Sequence, residues 1–270
     1  MSEALDKTIR TLAGLQQAVQ HWEGLVGCRI EGVEAVGLDL RGVDMRTSSW
    51  IRCNLDKAQL SRCDLSGASF EEVRLVGADL RDVLAGELQL RHCEAKGVSL
   101  DGARLRQARI EDSNFDEASF VGCKLREAVL CRLRFGSADL GRVQAQHSRW
   151  EDIDSPDASW EKAELAAAEM KNWRAEGARL GAIDIETAKL VDCRLTNASL
   201  HGAQLPEKLE GLDLTGADLE ACTIHGLDTT RNGTPRSLRR AVIRDSRFSG
   251  DLCRLVFDAS RAENLSLIHI

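Results

Sequence analysis

The chain has 270 residues, 43% of them hydrophobic and 29% charged, with a formal net charge of -7. This composition excludes a disordered polymer. Aromatic residues make up only 4% and Tyr is absent, so large rings cannot fill the core. The sequence has neither a membrane-spanning stretch nor a signal peptide, and we expect a cytoplasmic protein that makes no contact with a membrane.

The first segment, residues 1–24, has the pattern of an amphipathic helix. Apolar residues recur at spacings of three and four, with Ser2 as a candidate N-cap; they are Leu5, Ile9, Leu12, Leu15, Val19 and Trp22. We predict that this helix caps the open end of the structure that follows. A helix that binds a partner is the alternative.

The second segment, residues 25–229, repeats every five residues. From Leu25 to Leu205 the frame runs through 37 positions without insertion or deletion, and 31 of them hold Leu, Ile, Met, Phe or Trp. Two residues before each central position stands Ala, Cys, Ser or Val in 30 of 37 cases. A period of five fits neither a helix nor a flat strand. It fits a square coil of 20 residues whose successive turns pair in parallel about 4.8 Å apart, that is, a solenoid.

The exceptions to the repeat support a shared interior. At the six central positions with a small residue, the residue two places earlier is larger than Ala, as in Val83 before Ala85 and Trp173 before Ala175. Such compensation is expected where both sites fill one closely packed volume.

This pattern resembles the pentapeptide-repeat family, as units such as Ala78-Asp79-Leu80-Arg81-Asp82 and Ala198-Ser199-Leu200-His201-Gly202 illustrate. The resemblance implies an all-β fold, a right-handed quadrilateral parallel β-helix, here with an N-terminal capping α-helix. The position before the central residue departs from the family pattern, because Arg, Ser, Lys or Gln often replaces Asp or Asn.

The repeat is disturbed towards its end. The frame loses one residue near Pro206, which predicts a bulge or kink. Residues 230–240 contain Asn-Gly and Pro turn signals and are predicted to form a protruding basic loop. Residues 241–270 are predicted to be irregular final coils with a C-terminal tail. The tail either closes the last coil or offers its edge to a second copy, which would form a homodimer.

No motif indicates catalysis, a cofactor or a metal. Seven of the nine Cys occupy the small inward site, where Cys replaces Ala or Val. No phosphate loop, dinucleotide fingerprint or nucleophile elbow is present. Paired carboxylates such as Glu111-Asp112 fall at solvent positions. We therefore predict a protein that is not an enzyme and needs no cofactor or metal.

Charge is distributed unevenly along the chain. Residues 230–270 hold eight Arg and four acidic residues, whereas residues 1–229 hold 28 basic and 39 acidic residues. Four Arg lie close together in the predicted loop: Arg231, Arg236, Arg239 and Arg240. The loop is either an ordinary solvated segment or a docking element for an acidic surface, and these four Arg are the candidate partner-binding residues.

Two functions are consistent with the resemblance. The favoured one is a non-enzymatic bacterial protein-binding scaffold of the immunity or adaptor type, which docks or neutralises a toxin or secretion component. The alternative is a DNA mimic that protects a type II topoisomerase (gyrase) from quinolones or peptide toxins. Basic residues interrupt the acidic faces and disfavour mimicry of DNA; on one face they are Arg104, Arg106, Lys124 and Arg126. Direct nucleic-acid binding is not expected of an acidic body.

Overall fold

The computed structural model describes residues 8–21, 24–206, 212–228, 242–244, 247–251, 261–263 and 266–268. One helix, α1, spans Leu12–His21 in this part of the chain. The strands described are β1 (Thr8–Ile9), β2 (Arg29–Glu31), β3 (Ser49–Ile51), β4 (Ser69–Glu71), β5 (Gln89–Arg91), β6 (Arg109–Glu111), β7 (Val129–Arg134), β8 (Arg149–Asp154), β9 (Glu169–Lys171), β10 (Lys189–Val191), β11 (Gln204–Leu205), β12 (Thr223–Asp228), β13 (Val242–Arg244), β14 (Arg247–Asp251), β15 (Arg261–Glu263) and β16 (Ser266–Ile268).

Strands β1 to β10 form one parallel sheet in chain order. From β2 onward each strand pairs with the next at an offset of 20 residues, so that Ile30 lies opposite Trp50 and Trp50 opposite Phe70. Isolated parallel bridges at the same offset join the other sides of the coils. The chain is a parallel β-solenoid of about 9 turns, as the period of five predicted.

The interior is filled by the two predicted sites of each repeat. All 37 central positions from Leu25 to Leu205 are buried. The residue two places earlier is also buried in every unit from Cys28 to Ala203 except at Leu38 and Val43, which are half-buried. The exceptions follow the predicted compensation, since Trp173 and Ala175 are both fully buried.

The few aromatic residues concentrate in one part of this interior. Neighbouring rings contact each other with centroid distances of 5.2 to 6.2 Å; the rings are those of Phe115, Phe120, Phe135, Trp150, Trp160 and Trp173. Their mostly tilted and edge-on arrangements are those that aromatic quadrupoles favour.

The N-terminal segment caps the solenoid, but a helix throughout residues 1–24 was the wrong prediction. Thr8 and Ile9 form a strand that pairs with Arg29 and Ile30 of the first coil. This pairing satisfies backbone groups that the first coil would otherwise leave open. The helix starts only at Leu12, and its Leu15 and Ala18 are buried in the same hydrophobic core as the coils. Ser2, Leu5 and Trp22 lie outside the described residues.

The offset between coils changes from 20 to 19 residues near the end of the long repeat. Asp184 pairs with Gln204, whereas Arg194 pairs with Asp213. Further on, β11, β12, β14 and β16 form a second parallel sheet in which Phe248 lies opposite Leu267. The described part of the tail thus pairs within the chain. No helix in the described ranges is both long and apolar enough to cross a membrane.

The corners of the coil require a left-handed backbone. The residue two places after the central one has a positive φ in every unit from Gly27 to Gly202 except at Ser137 and Thr187. Gly adopts this conformation without penalty, whereas other residues pay about 1–2 kcal/mol. Many corners nevertheless carry a side chain, for example Ala182 with φ 52°.

Replacing Ala182 with Gly is therefore expected to raise the free energy of unfolding by about 0.5–1 kcal/mol, because relief of the strained φ exceeds the added entropy of the unfolded chain. Ala178→Gly is the matched control. Ala178 is buried at the small inward site and has no positive φ, so its replacement should lower stability. Urea unfolding of both variants measures the difference, and equal losses would contradict the account.

Candidate protein-interaction surface

The coils present four faces on which side chains form straight rows. We number the faces in chain order: face 1 carries β2 to β10, face 2 is centred on residue 35 and its equivalents, face 3 on residue 40 and face 4 on residue 45. Residues 20 positions apart occupy the same row. Because the backbone ladder fixes every row, the positions of charged side chains are set by the sequence.

Face 1 carries rows in which charges compensate each other between coils. Arg52 donates to Glu31 at 2.8 Å, and Lys171 donates to Glu151 at 2.7 Å. Arg132 Nε donates to Asp112 Oδ1 at 2.6 Å and lowers the pKa of that carboxyl group. The carboxylates of Glu31, Asp112 and Glu151 are thus ion-pair partners at a solvent-facing surface.

On face 3 the ion pairs lie within one coil. Arg41 forms a two-pronged contact with Asp39 at 2.9 and 2.6 Å, and Arg81 forms the same contact with Asp79 at 2.8 Å for both prongs. The hydrogen bonds from the Arg41 side chain and backbone lower the pKa of Asp39 to about 2. Fork-shaped pairing of this kind fixes both side chains in direction.

The lowered pKa of Asp39 predicts a dependence on pH. The stabilisation is fully present above the unfolded pKa near 4 and is lost as the pH falls towards 2, because protonation removes the acceptor. Arg41→Gln should raise the titration midpoint of the Asp39 carboxyl group towards its ordinary value, which NMR can follow. Arg142→Gln, a change on the same face, should leave that midpoint in place. An unchanged midpoint in the Arg41 variant would contradict the pairing.

The cysteines contribute packing. Eight described cysteines are free thiols, and all except Cys131 are buried. Burial raises the pKa of Cys63, Cys93 and Cys193 to about 11. A thiol in this state is a poor nucleophile and a poor metal ligand.

Face 4 differs from the other described faces because two adjacent rows on it each hold a pair of neighbouring cations. Arg104 and Lys124 are neighbours in one row, and Arg106 and Arg126 are neighbours in the next. All four side chains are exposed. We call these four residues the cation block. Adjacent cations also occur in single rows at Arg142–Lys162 and Arg174–Arg194, but in the described coils only the cation block has two such rows side by side.

One carboxylate lies within the cation block. Glu127 is 3.3 Å from Arg106 and 3.4 Å from Arg126, and it also accepts a hydrogen bond from Gln107 at 2.8 Å. The hydrogen bond from Arg106 lowers the pKa of Glu127. Arg104 and Lys124 have no carboxylate within 4.0 Å in the part of the chain that the structure describes.

The block lies in a groove of about 640 Å³ that extends to Gln144, Gln146 and Glu164. On the other side of the block from Gln144, Leu84 is the row neighbour of Arg104. Its side chain is 41% exposed, and it is one of the few large apolar side chains at the described surface. The row of Leu84 consists of Asp44, Asp64, Leu84, Arg104, Lys124, Gln144, Glu164, Asp184 and Gln204.

The candidate residues chosen from sequence lie elsewhere. Arg231, Arg236, Arg239 and Arg240, together with the loop at 230–240, fall outside the described residues. In the sequence, the four residues of the cation block stand out only as basic residues that interrupt an acidic face. Its significance depends on which cations lack a carboxylate neighbour, and the row order alone does not give this. Over the described residues no group of three or more His, Cys, Asp or Glu is placed to hold a metal ion.

Comparison with protein families identifies the repeat. The model described as "Pentapeptide repeat region" matches residues 43–120, and "Pentapeptide repeats (8 copies)" matches residues 108–144. No curated protein matches the chain.

Solved structures with similarity to this chain include two further repeat proteins. A trypsin-treated form of QnrB1, a plasmid-mediated fluoroquinolone resistance protein, is 21% identical, with 77% of this chain and 87% of that chain covered and a TM-score of 0.45. HetL, involved in heterocyst differentiation regulation in the cyanobacterium Nostoc sp. strain PCC 7120, is 20% identical, with 93% and 92% covered and a TM-score of 0.43.

Proposed function

We propose that this chain, a member of the pentapeptide-repeat family, is a non-enzymatic scaffold that docks or neutralises a protein partner. The role is of the immunity or adaptor type, in the cytoplasm of a bacterium, with a toxin or secretion component as the partner. Arg231, Arg236, Arg239 and Arg240 remain proposed contacts of the basic loop.

The observation that carries this proposal is the fixed arrangement of side chains in rows on flat faces. Backbone bonds between coils, such as Leu105 N to Lys124 O at 2.8 Å and Gln107 N to Arg126 O at 3.0 Å, hold neighbouring rows at constant spacing. A surface that is ordered before binding loses little conformational entropy in the complex. A rod of about nine coils therefore suits recognition of another folded surface.

The chemistry of the described side chains supports a role without catalysis. The perturbed carboxylates Glu31, Asp39 and Asp112 have lowered pKa values because arginines pair with them at an exposed surface. General acids and bases instead require pKa values near the working pH. The buried thiols are shifted away from the thiolate form.

Capture of a partner by the full chain tests the proposal. The tagged protein is incubated with lysate of the source organism, crosslinked and analysed by mass spectrometry, with a denatured sample of the same chain as control. One protein retained in stoichiometric amount by the folded chain alone, and bound again after purification of both components, is the expected result. Failure to retain any protein overturns the proposal.

A gyrase supercoiling assay distinguishes the proposed scaffold from the alternative, a protein that protects a type II topoisomerase. A scaffold for a toxin or secretion component should leave supercoiling and quinolone poisoning unchanged over a wide concentration range. Protection at substoichiometric or stoichiometric amounts would instead make the topoisomerase the partner.

A further inference from the structure

We propose that the cation block on face 4 binds an extended acidic segment of a partner protein. This inference rests on the proposed scaffold function and specifies the chemistry of the partner. It concerns described residues on the body of the rod and is independent of the basic loop at 230–240.

The charge of the block is incompletely compensated by the residues that the structure describes. In the described coils, the one carboxylate beside these four exposed cations is that of Glu127, and of the four it pairs with Arg106 and Arg126. Arg104 and Lys124 are row neighbours of equal charge, and the described coils supply no carboxylate for either. On face 1 the same offset of 20 residues joins opposite charges, as in Lys171 with Glu151. An external anion would supply the missing partner.

The spacing of the block matches an extended peptide. Arg104 and Arg106 are two residues apart along the coil, a separation of about 6.6 Å at the rise of a β-strand. Lys124 and Arg126 repeat this pair one coil further on, about 4.8 Å away. Alternate side chains of an extended ligand are also about 6.6 Å apart. Acidic residues at positions i and i+2 can therefore meet both rows at once, and Arg can bind each carboxylate with two hydrogen bonds.

The surroundings of the block add an apolar contact. Leu84 is exposed one coil before Arg104, and Gly86 occupies the neighbouring row, where it has no side chain to cover the surface. Gln144 and Gln146 bound the other side, and Gln146 donates to Glu164 at 2.7 Å. The preferred ligand thus carries an apolar side chain next to its acidic residues.

The same rows exclude a long polyanion. Asp64 and Asp44 continue the row beyond Leu84, and Glu164 and Asp184 continue it beyond Gln144. A nucleic acid running along the rod would bring its phosphates against these carboxylates. The cationic stretch covers only two coils, which fits a short acidic segment.

Fluorescence anisotropy with defined probes tests this proposal on the full chain. The main probe is a labelled eight-residue peptide in which Asp alternates with Ser and one Leu stands two residues after the last Asp, on the same side of the extended peptide as the Asp residues. Its counterparts are the same peptide without Leu, the same peptide with Lys in place of Asp, and a short DNA duplex. The wild-type chain should bind the Asp peptide and neither the Lys peptide nor the duplex.

Two double variants with equal change in net charge provide the decisive comparison. Arg104→Glu with Lys124→Glu should weaken binding of the Asp peptide at least tenfold. Arg142→Glu with Lys162→Glu alters a cation pair on face 3 that also occupies one row in adjacent coils, and it should leave the affinity within twofold. Leu84→Ser should weaken only the Leu-containing peptide. Circular dichroism and melting curves verify that each variant is folded.

Equal weakening by both double variants, or duplex binding as tight as peptide binding, would overturn the acidic-segment proposal. These outcomes are separate from failure of the scaffold function. A partner captured equally by wild type and by the Arg104→Glu, Lys124→Glu variant leaves the scaffold in place and removes the block as its docking site. Peptide binding without any captured partner would keep the cation block as a site for acidic peptides and would remove the support for the scaffold function.

Discussion

Trp173→Ala is expected to lower the free energy of unfolding by about 3–5 kcal/mol. Trp173 is fully buried and stands at the small inward site, in a unit whose central residue is only Ala175. Its ring contacts Trp160 with centroids 5.2 Å apart, and its Nε1 donates to Ser155 at 2.9 Å. Truncation would leave two alanines in one unit and open a cavity that the fixed coils cannot close.

A second substitution provides the control for this prediction. Ala175→Leu alone should overpack the wild-type coil at a cost of about 1–3 kcal/mol. Combined with Trp173→Ala it recreates the ordinary unit, with a small residue two places before Leu, and should recover much of the loss. Urea unfolding of the two single variants and the double variant gives the coupling. Strictly additive losses would mean that the two sites do not share one volume.

Ser148→Ala is expected to cost about 1–3 kcal/mol, because it leaves a buried donor without an acceptor. Trp150 Nε1 donates to Ser148 Oγ at 2.6 Å, and both residues are buried. Trp50 makes the same bond to Ser48 at 2.9 Å. In each case the serine occupies the small inward site of the same unit, where most units have Ala, Cys or Val.

Trp160 supplies the matched comparison. Its unit has Ala158 in place of serine, and its buried Nε1 has no hydrogen-bond partner among the described residues. Ala158→Ser should therefore raise stability by about 0.5–1.5 kcal/mol, opposite in sign to Ser148→Ala. Denaturation midpoints followed by Trp fluorescence compare the two. A stability loss in the Ala158 variant would show that the site has no room for the hydroxyl group.

The repeat allowed most of the fold to be predicted because burial follows directly from the period. If Leu25 and every fifth residue after it point inward and successive turns pair in parallel, the chain must form a four-sided coil. The compensation in size between neighbouring inward residues, such as Trp173 and Ala175, could also be predicted from the sequence, because the interior volume is fixed. The serine that accompanies Trp50 and Trp150 was equally visible at a spacing of two, but its hydrogen bond required the side-chain geometry.

Other features depend on contacts between distant segments. Ile9 fits the spacing of an amphipathic helix, yet the edge of the first coil draws Thr8 and Ile9 into a strand. The cation block could be placed on one face by counting in steps of 20. Whether Glu127 reaches Arg106 or Lys124 depends on side-chain directions, which the count does not supply.

The constant offset between coils determines how insertions and deletions during evolution would alter this molecule. Loss or gain of 20 residues would shorten or lengthen the rod by one coil and keep every later side chain on its face. Loss or gain of five would turn everything downstream by a quarter of a revolution, moving a block such as that of Arg104 and Lys124 from one side to the next. Insertions and deletions of whole repeats can thus move surface residues to another face of the rod without changing the packing of its core.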